Sequence, residues 1–377
     1  MTELVFWFLV FLIVYPYAIY PAIVHAFGWI RPKSIHRLSI YPMVTVLIPA
    51  YNEADCIAKT IQNKLDQDYP RDKLEIIVVS DGSTDGTDDI VRGFARLGVV
   101  LLRREGREGK AAALNEAVQH ANGEILVFSD ANSLFDKCAI RFMVENFADP
   151  EVGYVTGTLR YSGDGASLGG GAYMRYENRL RSAETRIGSI IGVNGGVDAI
   201  RRDLYTDIPR ELITDFVLPL HVIASGLRVI YDPLVISQET ANSEITSEFR
   251  MRVRVALRAL QGLVYMRHLL DPRRYPLASF CVISHKVLRY LTFMFLPIAL
   301  LANIRLAYVE STYQILLIAH ISIYALALLG LRANLPQWMH RLTVIPSYFL
   351  LSNTAFMVAA IKFMRRETMA TWRPRAG

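Results

Sequence analysis

The hydrophobic residues of this 377-residue chain are crowded at its two ends, whereas the middle has the pattern of an ordinary soluble domain. Long apolar stretches lie at residues 4–30, 287–306, 313–331 and 343–363. Each has about the 20 residues that a helix needs to cross a bilayer. The pattern predicts an N-terminal membrane anchor at residues 1–40, a soluble domain at 41–272 and a C-terminal membrane region at 273–377.

Basic residues beside the apolar stretches predict the orientation of the chain. Arg31, Lys33 and Arg37 directly follow the first stretch, and short basic flanks remain in the cytosol. We therefore expect an uncleaved anchor with an external N-terminus, in a multi-pass protein of the cytoplasmic (inner) membrane with a cytosolic middle domain. Residues 276–286 are mixed in character and predict an interfacial helix. Four membrane crossings would place the basic C-terminal tail outside the cell. Either one apolar stretch does not cross the membrane, or the tail is an exception to the rule that basic flanks remain in the cytosol.

Short apolar runs alternate with amphipathic segments in the middle of the chain. The predicted strands are 44–49, 75–80, 99–103 and 124–130, and the predicted helices between them are 53–66, 85–97 and 109–121. This alternation is typical of a parallel sheet that is covered by helices on both faces. We expect an α/β fold with a mostly parallel sheet, which binds its ligand beyond the carboxyl ends of the strands.

Polar residues collect at these strand ends. They are Tyr51-Asn52-Glu53, Asp81-Gly82-Ser83, Gly109-Lys110 and Asp130-Ala131-Asn132. Singly, each is an ordinary turn or helix cap, but their recurrence predicts one crevice that suits the hydroxyls and phosphates of a nucleotide. The chain has no G-x-x-x-x-G-K-[ST], and no G-x-G-x-x-G follows the first strand. A Walker-type ATPase and a nicotinamide dehydrogenase are therefore disfavoured.

Composition narrows the class of protein further. Hydrophobic residues make up 52% of the chain, which excludes a disordered protein. The formal net charge is +6, but basic residues also flank membrane helices on their cytosolic side, so we expect membrane lipid and no nucleic acid as a partner. The three cysteines form no C-x-x-C pair, and neither a zinc site nor a disulfide framework is indicated.

Several motifs, in order, resemble the catalytic domain of the family 2 glycosyltransferases. They are VTVLIPAYNE (44–53), IIVVSDGSTDGT (76–87), GKAAALNEA (109–117), ILVFSDAN (125–132), GVNGGVDAIRRDL (192–204) and ITDFVLP (213–219). The resemblance implies a GT-A fold over about 41–260. With the flanking membrane helices, the chain looks most like the membrane-embedded synthases of cellulose, hyaluronan and poly-N-acetylglucosamine.

The resemblance implies a set of site residues. Those expected to bind substrate, a UDP-sugar in the family, are Ala50, Tyr51, Glu53, Asp81, Ser83, Lys110, Asp130, Gly195 and Gly196. Tyr51, Glu53 and Asp81 would hold the uracil and ribose, and Lys110 a phosphate. Asp130 and Asn132 occupy the D-x-D positions that hold a divalent metal, Mg²⁺ or Mn²⁺. Since the second residue is Asn, the metal would depend more on the diphosphate.

Asp215 matches the catalytic aspartate of the family. Its implied role is that of a general base, which takes the proton of the acceptor hydroxyl and so gives an inverting transfer. Asp215 could instead cap a helix that begins near Phe216, and these two roles are compatible. The glycines of the 192–198 loop would lie against the acceptor.

One departure from the family bears on the acceptor. Polymerising relatives carry Q-x-x-R-W after the base, where this chain has Met251, Arg254 and Val255. Arg254 is expected to bind the diphosphate leaving group, and Arg250 and Arg258 to face lipid from an interfacial helix. The tryptophan platform for a growing chain is absent.

Three functions remain open at this point. The first is transfer from a UDP-sugar to a growing polysaccharide of the cell envelope or exterior, with accessory export subunits as conceivable partners. The second is a single addition to a polyprenyl-phosphate or lipid-linked acceptor, which the altered Q-x-x-R-W motif favours. The third is a non-catalytic sugar-nucleotide sensor. The presence of Asp81, Asp130 and Asp215 together disfavours the sensor.

Overall fold

A computed structural model describes residues 1–162, 170–240, 245–332 and 335–369. The strands are β1 Val44–Ala50, β2 Leu74–Asp81, β3 Val99–Arg104, β4 Ile125–Phe128, β5 Leu134–Phe135, β6 Val152–Ser162, β7 Asp198–Arg201 and β8 Arg228–Thr240. The helices of the soluble domain are α3 Ala54–Leu65, α4 Thr87–Gly93, α5 Lys110–His120, α6 Ala139–Glu145, α7 Gly170–Ile187, α8 Thr214–Ala224 and α9 Ile245–Tyr265. The terminal helices are α1 Thr2–Val14, α2 Tyr20–Ile30, α10 Pro276–Val282, α11 Leu288–Ala307, α12 Ser311–Leu329 and α13 Gln337–Met364.

The described strands form one eight-stranded sheet in the order β3-β2-β1-β4-β7-β6-β8-β5. The first four of these strands are parallel to one another. β7 runs antiparallel to both of its neighbours, β6 and β8 are parallel, and β5 is antiparallel to β8. The predicted α/β fold with a largely parallel sheet is therefore confirmed, and the carboxyl ends of β1, β2 and β4 meet at one edge.

Alternation along the strands builds an apolar layer on each face of the sheet. In β1, Val46 and Ile48 face one layer and Leu47 faces the other, as the two-residue period of a strand requires. Tyr20 of α2 and Cys281 of α10 are buried in the Leu47 layer. The predicted N-terminal anchor and the first C-terminal helix thus share a core with the predicted soluble domain.

Among the described residues, four helical stretches are long and apolar enough to cross a membrane. They are Thr2–Ile30, Pro276–Ala307, Ser311–Leu329 and Gln337–Met364. The four predicted apolar stretches are confirmed as helices. Two of these stretches contain a π-helical turn, at Tyr15–Ile19 and Ile283–Val287. The segment 276–286, predicted as a separate interfacial helix, instead runs through the second π turn into α11.

The structure also corrects the surroundings of α9. Its apolar stripe, including Val253 and Leu257, packs on Ala355 and Ala359 of the last membrane helix. The stripe is therefore covered by protein, whereas the sequence predicted a helix lying in the lipid interface. The small alanine side chains of α13 allow this close contact.

Candidate active site

Two loops at the carboxyl edge of the sheet are bound tightly to each other. Ser83 Oγ accepts a hydrogen bond from the Asn52 main-chain N–H over 3.1 Å, and Asn52 Oδ1 accepts one from the Thr84 N–H over 2.8 Å. Thr87 Oγ1 accepts the Glu53 N–H over 2.9 Å. Asn52 has a φ of 53°, a left-handed conformation that Asn adopts more readily than most residues. The polar residues here fix the loops that follow β1 and β2.

Asp81 lies in a different setting from the one predicted. Its carboxylate is fully buried, and it accepts the main-chain N–H groups of Glu108 and Gly109 at 3.1 and 2.8 Å. Arg104 Nε is 3.6 Å from the same carboxylate. In this structure Asp81 therefore holds the loop before α5 and presents no exposed surface to a nucleoside.

Tyr51 lies at the same edge, directly after the buried Ala50 at the end of β1. The guanidinium of Arg107 stacks on the Tyr51 ring, 3.8 Å from its centroid. Such a cation–π contact is attractive. It makes Arg107 a neighbour of the predicted substrate residues that the sequence did not single out.

Lys110 joins two carboxylates that are far apart in the sequence. Its Nζ lies 2.6 Å from Asp130 Oδ1 and 3.8 Å from Asp215 Oδ1. Burial alone would lower the pKa of Lys110, but the charges of Asp130 and Asp215 outweigh burial and hold this pKa above its ordinary value. The two carboxylates therefore favour the charged form of Lys110, which brings the predicted metal-side and base residues together. Its position at the first residue of α5 also aims its side chain at the strand ends.

Two glycines complete this cluster. A Cβ on Gly195 would lie 2.0 Å from Asp215 Oδ2, and one on Gly196 would lie 3.0 Å from Asp130 Oδ2. Gly196 also has a φ of 82°, which disfavours any residue with a side chain. The loop therefore approaches both carboxylates at its main chain, which only glycine permits at Gly195.

Asp198 is a member of the cluster that sequence reasoning assigned no role. It is 2% exposed, its Oδ2 accepts the hydroxyl of Tyr154, and its Oδ1 has no hydrogen-bond partner. Burial and then the negative charge of Asp215 raise the pKa of Asp198 well above its ordinary value. The available signal was an acidic residue at the start of a short strand, next to the apolar Ala199 and Ile200.

Asp215 lies in the first turn of α8, where it accepts a bond from Thr214 Oγ1 at 2.9 Å. It does not cap the helix, because the N-cap position belongs to Ile213. The loop before α8 is held by Arg258, whose guanidinium donates to the carbonyls of residues 210, 211 and 212. Arg258 is buried, so the prediction that it faces lipid is wrong. Arg254, one turn earlier, is half-buried, and Arg250 is exposed.

The predicted metal residues fit a divalent cation only in part. Asp130 and Asn132 lie on one tight turn, closed by a bond from the Ser133 N–H to the Asp130 carbonyl at 3.1 Å. Carboxylate and amide oxygens are suitable ligands for Mg²⁺ or Mn²⁺. Within the described ranges, no group of three or more His, Cys, Asp or Glu side chains could hold a metal. The protein therefore offers an incomplete oxygen set, which diphosphate oxygens could complete.

The structure thus shows an α/β domain with two carboxylates and a lysine at one edge of its sheet, joined to four helices that are apolar enough to cross a membrane among the described residues. Residues 45–207 match the family described as Glycosyl transferase family 2. The chain therefore contains a family 2 glycosyltransferase domain, and the resemblance seen in its motifs is confirmed.

Two curated relatives match parts of the chain. A poly-beta-1,6-N-acetyl-D-glucosamine synthase of Staphylococcus aureus (strain MSSA476) is 28% identical over 222 residues, which are 56% of this chain and 53% of the relative. The probable glycosyltransferase YdaM of Bacillus subtilis (strain 168) is 36% identical over 135 residues, 34% of this chain and 32% of the relative. The chain thus spans about half the length, or less, of the curated relatives it matches.

A solved structure matches nearly the whole chain. It is the mannosyltransferase PcManGT from Pyrobaculum calidifontis in complex with GDP-Man and Mn²⁺, with a TM-score of 0.77 and 26% identity. The match covers 97% of this chain and 100% of that one. The predicted GT-A fold with membrane helices at both ends is confirmed by this likeness together with the family match.

Proposed function

We propose that this chain is an inverting glycosyltransferase, which moves a sugar from a nucleoside-diphosphate sugar to a hydroxyl of an acceptor at the membrane. The observation that carries this proposal is the Lys110 bridge. The Lys110 ammonium lies close to both Asp130 and Asp215. Asp130 is the proposed metal ligand, and Asp215 is the proposed base. A donor diphosphate and an attacking hydroxyl would thus meet within one cluster of charges.

In the proposed reaction, the acceptor oxygen forms a bond to the anomeric carbon of the donor. The bond from that carbon to the diphosphate oxygen breaks, and Asp215 takes the acceptor proton. Direct displacement inverts the anomeric centre. Gly195 leaves space for Asp215 Oδ2, and Arg258 holds the loop that precedes the base. We propose Arg254 as a further cation for the leaving diphosphate.

A divalent cation, Mg²⁺ or Mn²⁺, would lie on Asp130 and Asn132 and neutralise the diphosphate. Lys110 would remain protonated, since the neighbouring carboxylates raise its pKa despite burial. Burial and the charge of Asp215 raise the pKa of Asp198, which disfavours a charge on that side chain. This direction favours negative charge on Asp130 and Asp215, where the metal and the acceptor proton are needed.

The nucleobase of the donor has two candidates. A UDP-sugar is the first, because the motifs most resemble those of polysaccharide synthases, with Tyr51, Glu53, Asp81, Ser83 and Ala50 around the nucleoside. Asp81 would act indirectly there, through the loop that it holds. GDP-mannose is the second, because the mannosyltransferase that resembles nearly the entire chain binds it together with Mn²⁺.

The acceptor is proposed in two forms as well. The likeness to a poly-N-acetylglucosamine synthase supports a growing polysaccharide, with accessory export subunits. A single addition to a lipid-linked acceptor is supported by Met251 and Val255, which replace the glutamine and tryptophan of a polymer platform. In both forms we propose that the catalytic domain lies on the cytosolic side of the cytoplasmic membrane, which the basic flank Arg31, Lys33 and Arg37 supports.

The test is an assay of the full chain in lipid nanodiscs with Mg²⁺ or Mn²⁺ and radiolabelled UDP-glucose, UDP-N-acetylglucosamine, UDP-galactose or GDP-mannose. Products are separated into solvent-soluble and polymer fractions. Label in long polymer supports the synthase, and label confined to lipid or short oligosaccharide supports single addition. Binding of a sugar nucleotide without any transfer, under all these conditions, would contradict the proposal and favour the sensor.

A further inference from the structure

A buried ionic cluster lies where α7 of the catalytic domain meets the membrane helices. We call it the membrane-side junction. Its members Glu177, Arg181, Glu184, His285 and Arg289 are buried, and Lys286 is half-buried. Burying ionisable groups among membrane helices costs free energy, and such groups commonly serve a function where they occur. The proposed chemistry at Asp215 does not use any of them.

The two carboxylates of the junction are already engaged. Glu177 accepts Arg289 on Oε1 at 2.5 Å and faces His285 Nε2 with its Oε2 at 3.3 Å. Glu184 Oε1 lies 2.7 Å from His285 Nδ1 and 2.7 Å from the donating hydroxyl of Tyr20. Its Oε2 accepts a main-chain N–H at 3.3 Å. Both acids act on Lys286 electrostatically, but neither forms an ion pair with one of the remaining cations.

Those remaining cations, Arg181 and Lys286, both lie close to Gly192. Arg181 is buried, and it donates through Nε to the Gly192 carbonyl at 2.9 Å and through Nη1 to Asn178 Oδ1 at 2.7 Å. Lys286 Nζ lies 2.6 Å from where a Cβ of Gly192 would be. In the described parts of the chain, neither cation forms an ion pair with a carboxylate. With Arg289, the junction has three basic side chains against two acids, and this charge favours the binding of an anion.

Gly192 also connects this charge to the proposed active site. It precedes by three residues Gly195, the glycine that lies against Asp215. Three residues span at most about 11 Å. Gly192 is thus no farther than this from the glycine beside the base, a gap that a phosphate-bearing sugar can bridge. The attacking hydroxyl of that sugar could then reach Asp215.

The helix that carries Lys286 is deformed at this position. Lys286 lies in the π turn Ile283–Val287, and Ser284 of the same turn pairs with the hydroxyl of Tyr15 from the other π turn at 3.0 Å. A π turn inserts a residue into the helix and re-aims its side chains, often at functional sites. Lys286 is in the part of the Pro276–Ala307 span that packs on the catalytic domain, where a lipid head group would approach.

We propose that Lys286 and Arg181 bind the phosphate of a phosphate-bearing membrane glycolipid, whose sugar presents its hydroxyl to Asp215. This inference rests on the proposed transferase function, and it assigns the acceptor class. The hydroxyl oxygen forms the new glycosidic bond, its proton goes to Asp215, and the phosphate at Gly192 undergoes no change. An ammonium and a guanidinium are the groups that bind phosphate most strongly in proteins.

The experiment measures equilibrium binding to the full chain in phosphatidylcholine nanodiscs. The tritiated probes are farnesyl-phosphoryl-glucose and farnesyl glucoside, which share a tail and a sugar and differ only by the phosphate. We expect the phosphate probe to bind at least tenfold more tightly. Glucose 1-phosphate and phosphatidylglycerol vesicles, added as competitors, distinguish a soluble sugar phosphate and bulk anionic lipid from the glycolipid, and we expect both to compete weakly.

The variants isolate the charge of the lysine. Lys286→Met should weaken binding of the phosphate probe at least tenfold, Lys286→Arg should largely restore it, and Lys33→Met, which removes an exposed basic residue, should leave it unchanged. Binding of the nucleoside diphosphate by each variant reports whether its domain has folded. Arg181→Met should show the same direction of effect as Lys286→Met.

Several results would overturn the inference. These are equal binding of the two farnesyl probes, unchanged binding by Lys286→Met, or equal competition by phosphatidylglycerol or glucose 1-phosphate. Transfer of sugar to the neutral glucoside in preference to the phosphate probe would also overturn it while leaving the proposed function intact. Selective binding of the phosphate probe that depends on Lys286, in a protein that turns over no sugar nucleotide, would support the phosphate site and contradict the proposed transferase function.

Discussion

Two lysines on the two sides of the glycine loop have opposite surroundings. Lys110, in the strand-end crevice, contacts both Asp130 and Asp215, at 2.6 and 3.8 Å. Lys286, in the membrane-side junction, forms no ion pair among the described residues, and Glu177 and Glu184 act on it only at longer range. The crevice therefore has an excess of negative charge, and the junction has an excess of positive charge.

This difference shows what each region can accept. A crevice with two acids around one lysine favours a cation, which is what a diphosphate donor brings when it binds with Mg²⁺ or Mn²⁺. The junction favours an anion. Gly192, Gly195 and Gly196 lie between the two regions, so a single short loop would contact both substrates. The predictions below test the crevice, the loop and the support behind them.

The largest effect is expected for the proposed base. Asp215→Asn should lower transfer by about 10²–10⁴-fold, the usual contribution of a general base, and leave nucleotide binding within about twofold. Steady-state kinetics with radiolabelled donor and nucleotide binding by calorimetry measure the two quantities. Asp203→Asn, at an exposed acid of the same domain, is the control. Undiminished turnover would remove Asp215 from this role.

The loop between the two regions is tested by Gly195→Ala. The added Cβ would lie 2.0 Å from Asp215 Oδ2, so the base must move. A displacement of about 1 Å can cost on the order of 10²-fold in kcat, and we expect a loss of that size with little change in the KM of the donor. Gly93→Ala, where a Cβ meets nothing within 4 Å, should keep full activity. Equal activity of the two variants would contradict the close approach.

The charge balance of the crevice is tested by Lys110→Met. Without the cation, Asp130 and Asp215 repel each other, and one charged contact to the donor phosphate is lost. A hydrogen bond to a charged group contributes about 1.5–3 kcal/mol, so donor affinity should fall by roughly 10–100-fold. Calorimetric titration with the sugar nucleotide and metal measures it. Lys59→Met, at an exposed lysine, is the control, and unaltered affinity would exclude a contact from Lys110 to the donor.

The support behind the base is tested by Arg258→Met. The variant loses bonds to the carbonyls of residues 210–212, and leaving buried carbonyls unpaired costs about 1–3 kcal/mol. Thermal unfolding in nanodiscs should show a lower Tm, and kcat should fall because the loop before Asp215 is released. Arg250→Met, at an exposed arginine of the same helix, should change neither. A normal Tm would mean that these bonds do not stabilise the domain.

The smallest effect is expected for the metal side. Asn132→Asp adds a second carboxylate to the turn of Asp130, and carboxylates bind divalent cations more strongly than amides do. The Mg²⁺ or Mn²⁺ concentration for half-maximal activity should fall several-fold. Titration of the metal at fixed donor measures this shift. If the metal dependence is unchanged, Asn132 is not a ligand.

The strand-end crevice was largely predictable from the sequence. The runs 44–49 and 75–80 are apolar, and polar residues follow each of them directly. Because the carboxyl ends of parallel strands share an edge, these residues had to lie close together. The sequence could not show, however, that the Asp81 carboxylate would accept the main-chain N–H groups of Glu108 and Gly109.

Contacts between distant elements were not predictable in the same way. Arg258 could be placed on one face of a helix with Arg250 and Arg254 by its spacing. However, periodicity does not say whether that face meets lipid or the main chain of residues 210–212. The burial of Asp198 against Tyr154 depends likewise on the pairing of β6 with β7.

The sequence by itself determined the kind of protein: an α/β domain with a charged strand-end crevice, four apolar helices and the motifs of a glycosyltransferase family. These properties follow from local periodicity and from residues that are adjacent in the chain. Only the tertiary structure decided the charge balance of the two regions. His285 and Arg289 meet Glu184 and Glu177 across 101 and 112 residues, and whether a buried cation has a partner depends on which distant faces pack together.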